Sequence, residues 1–261
     1  MSAFYTFMTP LRLTLTLGAS LTLATSLHAT ASEWPDPIQQ LEQQGLTIHG
    51  EFNAPDGLTG YAASARGQTV AAYLTSGGEH AVIGTLINAE GQDVSAERLE
   101  QLVNGPRNAE LWQEMADQHW VRDGDKDAPR IVYTFSDPNC PYCRKLWEDA
   151  QPWVESGEVQ IRHLMVGILK ADSPEKAAAI LNADDPGEAL AEHYRNGAMP
   201  ENQGDDQSEQ WVSENTQLMR DSELFATPAT FYQDDNGDVH SLMGAPSPNK
   251  LKAIMGEPVD S

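Results

Sequence analysis

One stretch of the chain decides the fold: RIVYTFSDPNCPYCRKLWEDAQPWVESGEVQIRHLMV, residues 130–166. Its first six residues are rich in β-branched and aromatic side chains, which favours a strand. Apolar residues at helical spacing follow and end at Gly157, and residues 159–166 are again strand-like. The stretch therefore predicts a strand, helix and strand unit with two parallel strands and a right-handed crossover.

The two cysteines of the chain, Cys140 and Cys143, lie at the start of that predicted helix. Unpaired backbone N–H groups at a helix N-terminus favour the thiolate of the first cysteine. Because the thiolate is the attacking form in thiol–disulfide exchange, we predict Cys140 as the nucleophile and Cys143 as the resolving thiol. Pro141 and Tyr142, which lie between them, are expected to modulate the motif, and Pro141 keeps the first turn rigid.

Three other uses of a C-x-x-C motif fit the sequence less well. A zinc site needs four ligands, and the chain has no second C-x-x-C or nearby H-x-x-x-H. Covalent haem attachment needs histidine directly after Cys143, where Arg144 stands. A purely structural disulfide closing so short a loop removes little entropy from the unfolded chain. We therefore predict a redox-active disulfide between Cys140 and Cys143, with no metal and no cofactor.

A second candidate element is Thr227-Pro228, where a proline directly precedes a predicted strand. An ordinary trans loop proline is the alternative, and trans is the commoner form. Beside a cysteine helix, we predict a cis bond that faces the thiols. It would turn the Thr227 backbone toward an extended substrate chain and would keep metals away from the thiolate.

The first 31 residues are typical of an export signal. Arg12 supplies positive charge, residues 11–27 are apolar with interspersed threonine, and Ala29-Thr30-Ala31 offers small residues for cleavage after Ala31. A membrane anchor is the alternative, but the segment is short and polar for a span. Export predicts an oxidising compartment.

The next region, residues 32–104, reads as a small domain. A helix over 37–44 ends at Gly45, and apolar runs separated by turn residues predict an antiparallel meander. The predicted strands are residues 46–52, 58–65, 69–75 and 80–88. The last strand would leave an unpaired edge, which a second copy of the chain would cover.

The remaining elements complete a second domain. A short helix over 96–103, a break at Gly105-Pro106 and a linker helix within 105–126 precede the quoted stretch. Helix starts at Ser173-Pro174 and Asp185-Pro186 indicate a helical insertion at about 172–222. A hairpin at 234–237 and a closing helix follow. We expect His163 on a strand face and four tryptophans in cores or at domain contacts: Trp112, Trp147, Trp153 and Trp211.

The charge and composition of the chain limit the classes of partner it can bind. A formal net charge of −23 disfavours nucleic acid and anionic membranes, which would be repelled. The same charge suits either a salt-adapted surface or a solubility device. Forty per cent hydrophobic residues exclude a wholly disordered chain.

These motifs resemble a known family. FSDPNCPYC at residues 135–143 with Thr227-Pro228 is similar to the bacterial periplasmic DsbC/DsbG family of thiol:disulfide interchange proteins, and to its DsbG type in particular. Further similar stretches lie at residues 44–48, 127–129, 166–168, 177–181 and 254–256. The resemblance implies an α+β and α/β two-domain chain: a cystatin-like dimerisation domain (32–104), a linker helix (105–126) and a thioredoxin-like catalytic domain (127–261) in a V-shaped homodimer.

The resemblance also implies an activity. A DsbD-like membrane electron donor would keep the pair reduced, and the dithiol would rearrange wrong disulfides or reduce sulfenic acids on exported proteins. Asn139 departs from the family member compared, which has an apolar aromatic residue before the first cysteine. A DsbC-type isomerase usually has glycine in place of Pro141, and a DsbA-type oxidase lacks the N-terminal sheet. A chaperone whose cleft holds unfolded chains is the alternative from another class.

Overall fold

The computed structural model describes residues 34–257, so the predicted signal peptide and its cleavage site lie outside the described residues. Two sheets and the helices around them make up the described chain. In chain order the elements are α1 (Asp36–Gln43), β1 (Thr47–Asn53), β2 (Thr59–Ala65), β3 (Gln68–Leu74), β4 (Ala81–Ile83), α2 (Ala96–Leu99), a π-helical turn (Glu100–Asn104), α3 (Gly105–Ala116), β5 (Val121–Asp123), β6 (Arg130–Ser136), α4 (Pro141–Glu155), β7 (Val159–Met165), α5 (Ser173–Leu181), α6 (Pro186–Asn196), α7 (Asp206–Asp221), β8 (Ala229–Gln233), β9 (Val239–Met243) and α8 (Pro248–Met255).

The N-terminal sheet is the predicted meander, with antiparallel strands in the order β1-β2-β3-β4. Its fourth strand is shorter than the predicted 80–88, because pairing with β3 ends where the Gly84 N–H donates to the Ala71 carbonyl at 3.0 Å. The chain then turns around Asn88, whose side-chain oxygen accepts from the N–H groups of Glu90 and Gln92. The sheet therefore ends in a short edge strand.

One core holds this sheet to the helical segment after it. Phe52 lies so close over Gly60 that a Cβ there would sit 2.2 Å from its ring. The Phe52 and Tyr73 rings meet edge to face with centroids 6.2 Å apart. Val103 packs into the same cluster, so burial of apolar side chains joins sheet and helix.

The predicted break at Gly105-Pro106 is wrong, because helical structure continues from α2 through the π-helical turn into α3. Proline lacks the N–H that would bond the carbonyl four residues earlier. The wider π turn directly before it provides an alternative backbone pairing. Pro106 thus stands in the first turn of α3, where a missing N–H is tolerated.

Helix α3 belongs to the core of the second sheet. Leu111, Trp112 and Met115 are buried, as their helical spacing predicts, and Trp112 meets Tyr133 of β6 edge to face at 4.7 Å. Strand β5, which the sequence analysis did not predict, follows and pairs with β7. The second sheet therefore begins at Val121, before the predicted domain boundary at residue 127.

The second sheet has the strand order β5-β7-β6-β8-β9. Strands β6 and β7 run parallel on either side of α4, which confirms the predicted unit. Successive β6 residues alternate between the faces: Tyr133 and Phe135 pack among α3 and α7, and Val132 packs among α4 and α8. The carboxyl end of β6 thus delivers the chain to the start of α4.

The helical insertion consists of α5, α6 and α7, as predicted. The Asp185 carboxylate caps α6 by accepting from the Glu188 N–H at 3.1 Å, and Gly197 ends the helix with φ +78°. Three of the four tryptophans are buried, whereas Trp211 is partly exposed and stacks on His119 at 4.1 Å. Within residues 34–257, no helix has the length and apolar character of a membrane span.

Candidate active site

The cysteine motif occupies the first turn of α4, where the sequence places it. Cys140 is the N-cap residue with extended backbone angles, and Pro141 opens the helix. The Cys143 backbone N–H donates to the Cys140 sulfur at 3.1 Å. The Cys140 sulfur therefore stands where a capping side-chain oxygen usually lies, and it accepts a hydrogen bond from a helix N–H that would otherwise be unpaired.

These contacts act on the ionisation of Cys140. Its pKa is lowered from the ordinary 9.0 to about 6, chiefly by the hydrogen bond from the Cys143 side chain. Burial opposes this shift, and the Thr227 side chain and the backbone N–H groups of Cys143 and Tyr142 add to it. At neutral pH the Cys140 sulfur is therefore mostly a thiolate.

Cys143 lies in a buried, apolar environment, which acts on its thiol in the opposite direction. Its side chain is 1% exposed, and it packs in a cluster with Trp147, Met165 and Tyr194. Burial raises the pKa of the Cys143 thiol well above 9.0, and the hydrogen bond to Cys140 and its negative charge raise it further. This thiol therefore stays protonated while Cys140 is ionised.

The Thr227-Pro228 bond is cis, as predicted, and it immediately precedes β8. The Cys140 Sγ lies 3.3 Å from the Thr227 carbonyl oxygen, to which the protonated thiol donates. Strand β8 pairs with β6, so the sheet fixes both segments beside each other. The structure thus brings together all six predicted site residues: Cys140, Pro141, Tyr142, Cys143, Thr227 and Pro228.

A buried carboxylate that the sequence analysis missed holds the loop before the motif. Asp137 is fully buried, and its Oδ2 accepts from the N–H groups of Ile168 and Leu169 at 2.8 and 2.9 Å. Its Oδ1 accepts from the Asn139 N–H and the Ser173 hydroxyl, each at 2.8 Å. The aspartate-turn bond to Asn139 was a signal available in the Asp137-Pro138-Asn139 sequence. The two bonds to residues after β7 were not.

Asn139, the departure from the compared family pattern, binds the insertion. Its Nδ2 donates to the Asp172 carboxylate and to the Ser173 hydroxyl, both at 2.9 Å. Its Oδ1 accepts from the Lys176 ammonium at 3.0 Å. An apolar aromatic side chain could make none of these bonds, so Asn139 links the motif loop to α5 by polar contacts.

A second missed contact ties α6 to the same loop. The Nε2 of His193 lies 2.7 Å from the Pro138 carbonyl oxygen, and the Nδ1 lies 3.2 Å from the Ala198 carbonyl oxygen. With the bonds of Asp137 and Asn139, this contact anchors every residue from 137 to 139 to the segment that follows β7.

Large apolar side chains are exposed on the segments that meet at the motif. Tyr142 lies between the cysteines and is 60% exposed, and Phe225, two residues before Thr227, is 73% exposed. Leu169, whose N–H binds Asp137, is 48% exposed. Exposed apolar residues of this size commonly mark binding surfaces.

Comparisons with known proteins agree with this geometry. Residues 122–257 match the family model of a thioredoxin-like domain. The thiol:disulfide interchange protein DsbG of Pseudomonas aeruginosa is 45% identical over 247 residues, covering 93% of this chain and 96% of the relative. DsbG of Escherichia coli is 40% identical over 233 residues, covering 87% and 94%. A probable DsbC of Bordetella parapertussis is 31% identical over 152 residues, covering 58% and 50%.

Proposed function

The chain belongs to the DsbG family of thiol:disulfide interchange proteins, and from this premise we propose that its Cys140 thiolate attacks substrate sulfur and that Cys143 resolves the product. The difference between the two thiols carries the proposal. Cys140 has a pKa of about 6, whereas burial keeps the pKa of Cys143 well above 9.0. Only the first thiol is in its attacking form at neutral pH.

The proposed cycle has two displacements. In the first, the Cys140 thiolate bonds one sulfur of a substrate disulfide, and the other substrate sulfur leaves as a thiolate. With a substrate sulfenic acid, the leaving group is hydroxide, which becomes water on protonation. In the second, Cys143 loses its proton and bonds Cys140, the bond from Cys140 to the substrate breaks, and the substrate leaves reduced.

We further propose that the pair works in the reduced state, in the periplasm. The amides and hydrogen bonds around the Cys140 sulfur stabilise the thiolate, and therefore favour the dithiol over the disulfide. A DsbD-like membrane donor would supply electrons to any oxidised copy. The predicted signal, residues 1–31, would direct export.

Substrate binding is proposed at the exposed apolar side chains around the motif. Tyr142, Leu169 and Phe225 surround the segments that carry Cys140 and Thr227. They suit exported proteins with exposed apolar segments near the reacting cysteine. The substrates are proposed to carry either a cysteine sulfenic acid or a non-native disulfide.

The N-terminal domain is proposed to form a homodimer through its sheet. Its edge strand β4 exposes Val82 and Ile83, and Ile87, four residues after the end of the strand, is also exposed. An unpaired edge with apolar side chains favours pairing with another strand. In light scattering, the wild type should have twice the chain mass. Val82→Asp should shift it toward one chain mass, and the control Phe225→Asp should leave it unchanged.

Trapping in cells tests the function. A Cys143→Ala chain cannot resolve, so it should accumulate mixed disulfides with periplasmic proteins, which the double variant Cys140→Ser with Cys143→Ala should not form. Partners with single cysteines would support sulfenic acid reduction, and partners with several disulfides would support a DsbC-type isomerase role. Absence of trapped partners, with client binding that survives Cys140→Ser, would overturn the proposal in favour of a chaperone.

A further inference from the structure

His240 on β9 lies between two carboxylates that belong to different parts of the chain. Its Nε2 lies 3.1 Å from the Asp234 Oδ2, in the turn between β8 and β9. Its Nδ1 lies 3.3 Å from the Glu100 Oε1, in the π-helical turn that precedes α3. The Asp234 Oδ1 accepts from the N–H groups of Asn236 and Asp238 at 2.9 and 3.0 Å, which fixes this carboxylate in its turn. His240 therefore joins the thioredoxin-like sheet to the helical segment that follows the N-terminal sheet.

The contacts of the His240 ring fit its protonated form. A carboxylate can only accept hydrogen bonds and a neutral imidazole has one N–H, so only the imidazolium can donate to both Asp234 and Glu100. In the neutral form a bare ring nitrogen would face a carboxylate oxygen, and their lone pairs would repel each other. The hydrogen bond with His240 is also the main reason that the pKa of Asp234 is lowered. The three side chains are between 30% and 37% exposed, so water screens their charges only in part.

A chain of polar contacts continues from Glu100 into the N-terminal sheet. The Glu100 Oε2 accepts from the Asn104 Nδ2 at 2.9 Å. The Asn104 Oδ1 in turn accepts from the Thr69 hydroxyl of β3 at 2.6 Å. Glu100 is thus held by the N-terminal sheet, and through His240 it holds the β8–β9 turn.

The contact of Glu100 with His240 lies beside the part of the helical connection that can bend. In the π-helical turn the Gly105 N–H reaches back five residues to the Glu100 carbonyl, a wider and less regular pairing than that of an α-helix. Pro106 follows and has no N–H to donate to the preceding turn. After it, α3 is fixed to the thioredoxin-like core through Trp112. A bend between the two sheets would therefore occur at the π-helical turn.

We propose that His240 is a pH-sensitive clamp that holds the N-terminal sheet and the thioredoxin-like domain in one orientation while its ring is protonated. When the pH rises and the ring loses its proton to solvent, one of the two carboxylate contacts is lost. The helical connection then becomes free to bend at the π-helical turn, and the thioredoxin-like domain changes its orientation relative to the N-terminal sheet. The bistable element is this helical connection, and the charge on His240 sets its balance.

Other charged and titratable groups face His240 from the elements around it. The Tyr232 ring of β8 has its centroid 5.5 Å from that of the imidazole. Arg130 of β6 reaches the β8–β9 turn at Asp235, 3.4 Å away. Asp238 lines the same groove as His240, a space of about 370 Å³. The described residues by which α3 lines this groove are Gly105, Pro106 and Ala109, none of which is charged. Negative charge therefore predominates around the ring, and Arg130 is the cation that accompanies it.

Hydrogen exchange of the full chain tests the clamp, because exchange of helix amides reports bending even when few chains bend at one time. Histidine ring NMR signals first locate the pH at which His240 loses its proton, and the His240 signal is identified by its absence in His240→Gln. Below that pH, His240→Gln should speed exchange in residues 100–109 by about three- to thirtyfold, as expected for loss of two partly exposed ion pairs. Exchange in residues 130–136 should stay the same, which separates bending from global unfolding. In the wild type, exchange in residues 100–109, corrected for the intrinsic effect of pH, should speed up across the same pH.

Two further variants sharpen the test. His240→Arg keeps its positive charge at every pH and should keep exchange slow above the pH at which the wild type speeds up. Asp234→Asn should speed exchange in residues 100–109, whereas the matched control Asp235→Asn, in the same turn but 97% exposed, should leave it within about twofold. Equal exchange in the wild type and in His240→Gln below the titration pH would overturn the clamp. A wild type whose corrected exchange does not change across that pH would overturn it as well.

Discussion

Cys140 and Cys143 lie only three residues apart, but their thiols differ in ionisation and in surroundings. At Cys140 the sulfur caps the helix, receives the Cys143 amide and has a pKa of about 6. At Cys143 the sulfur lies in an apolar cluster, and burial raises its pKa well above 9.0. One turn of helix therefore separates a thiolate from a thiol.

The difference shows that the groups around each sulfur, and not the cysteines themselves, decide which thiol ionises and attacks first. The low pKa of Cys140 depends first on the hydrogen bond from the Cys143 side chain and then on the Thr227 side chain and two helix amides. The loop before Cys140 is held by Asp137. The high pKa of Cys143 depends chiefly on burial. Because each thiol also shifts the pKa of the other, the sharpest tests change groups that act on one sulfur only.

The largest effect is expected from Asp137→Ala, which removes the buried carboxylate that holds the loop before Cys140. The change removes the acceptor of three backbone N–H groups and one hydroxyl in a buried site. Buried unpaired donors should lower the free energy of unfolding by about 3–5 kcal/mol. Urea denaturation measures the loss.

Asp149→Ala is the control, because Asp149 on α4 pairs with Lys145 at the exposed surface. Its effect on unfolding should stay within about 0.5 kcal/mol. If Asp137→Ala cost no more than this control, the loop would not depend on the buried carboxylate.

The next effect is a pH dependence that belongs to Cys140 alone. Its folded pKa of about 6 lies below the unfolded 9.0, so its stabilisation is complete above pH 9 and is lost as the pH falls through 6. Between pH 8 and pH 6 the reduced protein should lose about 2 kcal/mol of unfolding free energy from this group. Denaturation at both pH values measures it.

Two comparisons isolate that contribution. The oxidised protein has no thiolate to titrate, and Cys140→Ser has no titrating group at this position, so neither should lose this increment. A reduced wild type whose unfolding free energy changes with pH in parallel with Cys140→Ser would contradict the assignment of the thiolate to Cys140.

A smaller effect is expected from Thr227→Val, which keeps the shape and removes one hydroxyl. Within residues 34–257 the Thr227 hydroxyl forms no hydrogen bond of ordinary geometry, but its proximity lowers the pKa of Cys140, so the variant should have a higher pKa and less thiolate. Alkylation by iodoacetamide at pH 6 should slow by about two- to fivefold, since a full pKa unit corresponds to at most tenfold. Thr230→Val on β8, whose hydroxyl pairs with Thr134, should leave the alkylation rate unchanged.

Much of this comparison could be predicted from sequence because the signals are local. The strand before the motif, the helix after it and the cap position of Cys140 follow from residue types within one segment. The meander and the caps at Asp185 and Gly197 were predictable for the same reason. Alternation of side chains alone places His163 on a strand face.

The features that could not be predicted from the sequence depend on tertiary contacts. Strand β5 is three residues long and is identified only by its pairing with β7. The break expected at Pro106 failed because a π turn precedes it, which residue propensities do not encode. The partners of Asp137 and Tyr194 come from segments about thirty to sixty residues away, and only the fold brings them to the motif.

The smallest effect is expected from Asn139→Ala. This change weakens the attachment of the loop before Cys140 but removes none of the groups that stabilise the Cys140 thiolate. The Asn139 side chain bonds Asp172, Ser173 and Lys176, but it is only partly buried, so water can replace these partners. Unfolding free energy should fall by about 1 kcal/mol, against no change for Asn236→Ala in the exposed β8–β9 turn. The alkylation rate of Cys140 at pH 6 should stay within about twofold, because none of the groups that lower its pKa is altered. Slowing as large as that of Thr227→Val would mean that anchoring to the insertion, rather than the groups at the sulfur, decides which thiol ionises.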